Sequence, residues 1–137
     1  MAETFELRAI GIVRSPLTDR ASAPMQGDEG APAATIVLDD AVAAALGDVE
    51  PGDELFVLTW LHQADRDVLA VHPRDDETRP MTGVFATRSS DRPNPIGLHR
   101  VTVLEVGAGS LVVEPLEAID GTPVVDLKPA LRGSSER

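Results

Sequence analysis

Cysteine and tyrosine are absent from this 137-residue chain, which holds one tryptophan and three phenylalanines. Without cysteine, disulfides, thiolate zinc centres and a cysteine nucleophile are excluded. No apolar run approaches the length of about 18 residues that a membrane span requires. The opening residues, Met1-Ala2-Glu3-Thr4-Phe5-Glu6, lack the basic and apolar regions of a signal peptide, so the expected location is the cytoplasm. Phosphate-loop motifs are missing. Gly107-Ala108-Gly109 carries only a fragment of the dinucleotide fingerprint, with no helix after it. Lysine is reduced to Lys128, beside eleven arginines.

What is present describes one globular domain spanning 1–137, with a terminal stretch, 131–137, that reads as frayed. Hydrophobic content of 42% suffices for a core at this length. The net charge of −11 argues against broad nucleic-acid binding. That charge is uneven. Residues 1–77 hold 16 acids against 5 bases, whereas residues 78–137 hold 7 of each. Between 79 and 100, Arg79, Arg88, Arg92 and Arg100 face Asp91 alone, so an anionic ligand could dock there.

Short apolar or alternating segments between turn signals dominate. Strands are predicted at Phe5–Val13, Thr35–Leu38, Glu54–Leu61, Asp67–Val71, Val84–Ala86, Leu98–Val106, Leu111–Val113 and Val124–Leu127. In Leu98–Val106, Val101, Val103 and Glu105 share one side and Thr102, Leu104 and Val106 the other. Asp39 or Asp40 can cap one short helix over Ala41–Leu46, stopped by Gly47. Residues 16–34 form a long loop rich in proline and glycine. Seven or eight strands with turns every 8–12 residues indicate a mainly all-β chain, expected as a small closed single-sheet β-barrel. The four Phe and Trp side chains, Phe5, Phe56, Trp60 and Phe85, fall in apparent strand cores.

The most informative stretch is Gly83 to Gly97, GVFATRSSDRPNPIG. Pro93 and Pro95 fix φ and remove two backbone donors, so the segment reads as a stiff loop. Such a loop holds Arg88, Arg92 and Asn94 in set directions, and ordering is already met before a ligand arrives. Arg88 and Arg92 could each clamp a carboxylate or phosphate. His62-Gln63 ends a buried strand, where barrels place ligands; a backbone-satisfied histidine is the plainer alternative. His72 and His99 have weaker cases, and three scattered histidines do not suggest a metal. Asp120-Gly121-Thr122 could offer a carboxylate to ribose hydroxyls or be an ordinary turn. Asp126 and Lys128 could pair near the surface.

Three motifs, Gly83 to Gly97, Asp120 to Pro129 (DGTPVVDLKP) and Ile10 to Pro16 (IGIVRSP), resemble the tRNA threonylcarbamoyladenosine N6-methyltransferase family, whose domain is YaeB-like or TsaA-like. His62-Gln63 fits its histidine-glutamine step. The resemblance implies a β-barrel methyltransferase that works as a homodimer and binds S-adenosylmethionine near the subunit interface; transfer from a methyl sulfonium needs no metal. It implies methylation of the exocyclic N6 of threonylcarbamoyladenosine beside the tRNA anticodon. Carried over by motif, the cofactor contacts are Met25, Gln26, Gly27, His62, Gln63, Arg88, Leu98 and the turn Glu117, Ala118, Ile119 and Asp120. Glu117 stands where the family pattern has aspartate, and Ala130 where it has tyrosine. The acidic surface and the missing tyrosine would also suit a small-molecule acceptor, and a non-catalytic cofactor-binding module is a further reading. Substrate contacts are expected from Arg79, Arg92, Asn94, Arg100 and Arg132. A general base, if one acts, is expected among His62, Asp91 and Asp126.

Overall fold

A computed structural model describes residues 3–19 and 30–131. Eight strands occur among them: β1 (Gly11–Arg14), β2 (Ala34–Leu38), β3 (Glu54–Trp60), β4 (Ala70–Val71), β5 (Thr82–Gly83), β6 (Ile96–Val106), β7 (Ser110–Glu114) and β8 (Pro123–Pro129). Six of them close an antiparallel barrel in the order β1-β2-β7-β6-β3-β8, with β8 returning to β1. Strands β4 and β5 pair separately, outside the barrel. The expected closed barrel is therefore present, built from six strands rather than seven or eight.

The period of two explains the interior. Leu55, Val57 and Thr59 on β3 point inward, as do Gly97, His99, Val101 and Val103 on β6. Ile36, Leu111, Leu116 and Val124 complete the packing and are essentially inaccessible to solvent. Burying one such side chain contributes about 1.5–3 kcal/mol. Two register shifts bend the wall. One, between Val103 and Glu105, turns Val106 toward the core and leaves Glu105 exposed, so the strict alternation expected for β6 ends there. The other, between Leu58 and Thr59, lies at the barrel end that carries the long β3–β6 connection.

Several elements differ from expectation. The first strand covers Gly11–Arg14 and not Phe5–Val13, because Phe5 and Leu7 find no partner strand and are 80% and 58% exposed. Asp67–Val71 contracts to β4. Val84–Ala86 is a 3-10 turn following β5, braced from inside the loop by Arg92. The predicted helix is a 3-10 segment, Asp40–Leu46, capped by the Asp39 carboxylate on the Ala41 N–H and followed by Gly47. The aromatics are not core residues. Phe85 is 83% exposed, while Phe56 and Trp60 lie half-buried on the outer wall under the guanidinium groups of Arg100 and Arg66. Among the described residues, no helix is long and apolar enough to cross a membrane.

Candidate functional site

One cavity of about 1010 Å³ opens at the barrel end where β3 stops and β6 and β8 begin. Antiparallel pairing brings these termini together, and the connections hung on them form the walls. Leu61, His62 and Gln63 leave β3, Ile96 to Leu98 open β6, and Glu117, Ala118 and Ile119 lead toward β8. The arginine loop supplies Arg88, Asp91 and Arg92. The cavity is half polar in character, with carboxylate, guanidinium and imidazole groups set among aliphatic side chains, which suits a zwitterionic organic ligand.

The loop is stiff for a reason the prolines only partly provide. Arg92 donates through Nη1 to the carbonyls of Thr87 (3.1 Å) and Ser89 (2.9 Å), and through Nη2 to that of Val84 (3.0 Å). Its fork ties the loop to the 3-10 turn, so Arg92 is a structural brace that also borders the cavity. Arg66 does the same from the neighbouring segment. It donates to the Pro93 carbonyl at 2.7 Å and to Asn94 Oδ1 at 2.8 Å, which occupies the Asn94 acceptor. Arg88 is exposed, and one Nη2 contact to the Leu98 carbonyl at 3.2 Å leaves most of its donors for a ligand.

The other predicted residues separate. His62 and Gln63 are exposed at the cavity wall. Asp120 is not among the lining residues. Its carboxylate accepts the Ser15 N–H at 3.0 Å and lies 3.7 Å from Arg14, pinning the turn before β8 onto the end of β1. Asp126 accepts the Leu127 N–H and sits 3.5 Å from Lys128, the expected surface pair, away from the cavity. Asp91 borders the cavity and accepts the Asp65 N–H at 2.8 Å. Arg100 lines the cavity but reaches Glu54 at 3.3 Å. Arg79 is exposed outside it, 3.5 Å from Asp76. In that loop Thr78 hydrogen-bonds Asp76 through its hydroxyl and then its N–H, and both hold the Asp76 carboxyl below its ordinary value. Met25, Gln26, Gly27 and Arg132 lie outside the described residues.

Sequence reasoning undervalued His99 and missed Thr59. His99 is 5% exposed inside the barrel end; its Nε2 lies 2.7 Å from Thr59 Oγ1 and its Nδ1 2.5 Å from Glu117 Oε1. The clue was parity. His99 shares the inward side of β6 with Gly97, and Gly97 pairs with Thr59. A Cβ on Gly97 would sit 2.3 Å from Thr59 Oγ1 and 2.6 Å from His99 Nε2, so the motif's last glycine makes room for that hydrogen bond. No group of three His, Asp or Glu side chains among the described residues is placed to hold a metal.

Comparison with known proteins adds a family to this geometry. The model of the tRNA-methyltransferase O N-terminal domain matches residues 12–134. A protein of Methanothermobacter thermautotrophicus described as a probable S-adenosyl-L-methionine-binding protein is 44% identical over 125 residues, 91% of this chain and 89% of its own length. An S-adenosyl-L-methionine-binding protein of Archaeoglobus fulgidus is 43% identical, across 89% of this chain and 86% of its own. A crystal structure of TrmO from Pseudomonas aeruginosa superimposes with a TM-score of 0.74 at 29% identity, covering 98% of this chain. The chain spans 61% of the length of that structure.

Proposed function

Because the chain belongs to the tRNA-methyltransferase O N-terminal domain family, we propose that it is an S-adenosylmethionine-dependent tRNA methyltransferase acting on the exocyclic N6 of threonylcarbamoyladenosine beside the anticodon. The observation that carries this reading is the cavity. Of the eight described positions that the sequence motifs assign to the cofactor, seven line it, and Asp120 alone does not.

The donor set fits the cofactor. S-adenosylmethionine presents a sulfonium, an ammonium, a carboxylate and a ribosyl adenine. Glu117 offers a carboxylate to the cationic and hydroxyl groups, and Arg88 a guanidinium to the carboxylate. Leu61, Leu98 and Ile119 offer aliphatic surface to the adenine. When bound, the cofactor supplies an electrophilic methyl group; the protein supplies orientation and exclusion of water. His62, exposed at the wall, is the side chain best placed to accept the proton that leaves the acceptor nitrogen. Asp120 instead serves by fixing the turn that presents Glu117 to Ile119.

The outer features suit tRNA. Phe85 is exposed next to the cavity-lining Ala86, so an aromatic face is available for an unstacked base, and Arg88 and Arg74 add positive charge. Ile96 and Leu98, each 42% exposed, extend an apolar outer wall beside the cavity, which supports a homodimer with the cofactor near the interface. This activity belongs in the cytoplasm. Mass spectrometry of tRNA nucleosides from cells with and without the gene tests the reading. Loss of N6-methylated threonylcarbamoyladenosine is expected. An unchanged nucleoside profile, with intact cofactor binding in calorimetry, would transfer the activity to a small-molecule acceptor.

A further inference from the structure

Glu117 lies between β7 and β8, outside any strand, yet its side chain is only 14% exposed. Nothing in its own segment fixes the carboxylate. What fixes it is His99, and behind His99, Thr59. They sit on strands β6 and β3, which pair from Ile96 to Thr102 along the whole of β3, so they are held by the ladder itself. Thr59 also adjoins the register shift in the β3–β8 pairing, which sets the direction of this barrel end.

With Nδ1 on Glu117 Oε1 and Nε2 on Thr59 Oγ1, the His99 ring bridges the carboxylate to the threonine hydroxyl and uses both of its nitrogens. No buried polar side-chain atom among the described residues is left without a partner. Glu117 keeps its second oxygen for whatever enters the cavity. Space for the Thr59–His99 bond comes from the missing side chain of Gly97.

We propose that His99 is a positioning residue for Glu117: with Thr59 as its backstop, it orients the Glu117 carboxylate toward the cationic or hydroxyl groups of the methyl donor. This rests on the S-adenosylmethionine reading of the cavity. A buried histidine that only stabilised the barrel would leave the same coordinates but a different response to mutation, because its loss would not depend on Glu117.

The test is calorimetric titration of the full chain with S-adenosylmethionine, alongside melting temperatures. Glu117→Gln and His99→Asn are each expected to weaken binding about ten-fold, the size of one hydrogen bond to a charged group. The double variant is expected to be no weaker than Glu117→Gln alone, since both changes remove one function. Thr59→Val is expected to weaken binding about three-fold. Thr59→Ser, which keeps the hydroxyl and loses a methyl, retains wild-type affinity even where its melting temperature falls. Losses that multiply to about a hundred-fold in the double variant overturn the proposal. So does equal affinity of Thr59→Val and Thr59→Ser, a comparison that decides the matter if His99→Asn does not fold. Absence of binding by the unaltered chain overturns the cofactor reading and this proposal together, whereas binding with independent losses overturns the proposal alone.

Discussion

Replacing Gly97 with alanine is expected to destabilise the barrel strongly, while the same change at Gly83, the other end of the same motif, is expected to be silent. At Gly97 the new methyl would stand 2.3 Å from Thr59 Oγ1 and 2.6 Å from His99 Nε2. Both atoms are buried and bonded to each other, so neither can withdraw without breaking the bond. Overpacking of this kind costs about 1–3 kcal/mol, and a lost buried hydrogen bond adds roughly 1 kcal/mol. At about 2.1 cal/mol/K of unfolding entropy per residue, a chain of 137 residues has an unfolding entropy of about 290 cal/mol/K. A loss of about 2–4 kcal/mol therefore lowers Tm by roughly 7–14 °C. At Gly83 an added Cβ meets nothing within 4 Å, and φ is −56°, which any residue adopts. Thermal unfolding followed by circular dichroism measures both. A Gly97→Ala melting point within about 2 °C of the unaltered chain would refute the packing argument, and so would an equal fall for Gly83→Ala.

Other outcomes follow from the same contacts. Arg92→Lys is expected to lose about 1–3 kcal/mol in urea unfolding, because an ammonium cannot reproduce a fork bonded to three carbonyls; near-native stability would show that the prolines alone hold the loop. Arg88→Ala is expected to weaken S-adenosylmethionine binding about ten-fold with an unchanged melting point, and unchanged affinity in calorimetry would remove Arg88 from the ligand. Binding of tRNA is expected to fall steeply as salt rises, with a log–log slope that reports the phosphate contacts; no binding at low salt would exclude the tRNA acceptor. The Asp76 carboxylate contributes stability above its unfolded value of 3.8 and loses it as pH falls through its lowered folded value. Thr78→Val, which removes the hydroxyl and keeps the backbone N–H, should move the Asp76 titration, followed by NMR, part of the way back toward the ordinary value; an unmoved titration would assign the shift to the Thr78 backbone N–H or to Arg79 and His72.

The alternation in β6 was legible as far as Val103 because a period of two is written by each residue's own polarity, and β3 and β7 were legible as short apolar runs between turns. Asp39 before a run of alanines likewise announced a capped helical turn, since a cap needs only neighbours in sequence. Phe5 to Ala9 shows where this fails. Its alternation is as regular, but a strand exists only when another offers its edge, and none pairs with that segment. Phe85 fails in the same way. An apolar side chain in a short β-like run became the exposed shoulder of a 3-10 turn, closed by the Thr87 N–H on the Val84 carbonyl, which Arg92 also reaches from eight residues away.

The β class, the short strands between regular turns and the proline-held loop could be read from the residues, because strand patterning and proline's fixed φ are local properties. Which polar groups meet, the Arg92 fork that completes the loop's stiffness included, was set only once the chain had folded. Thr59, His99 and Glu117 are 40 and 18 residues apart along the chain. Only barrel closure, which sets β3 beside β6 and turns the 115–122 segment across their ends, brings them within hydrogen-bond distance at the cavity. Asp120, three residues from Glu117, was drawn to β1 instead, because the direction of a side chain leaving a turn is set by what the turn rests on.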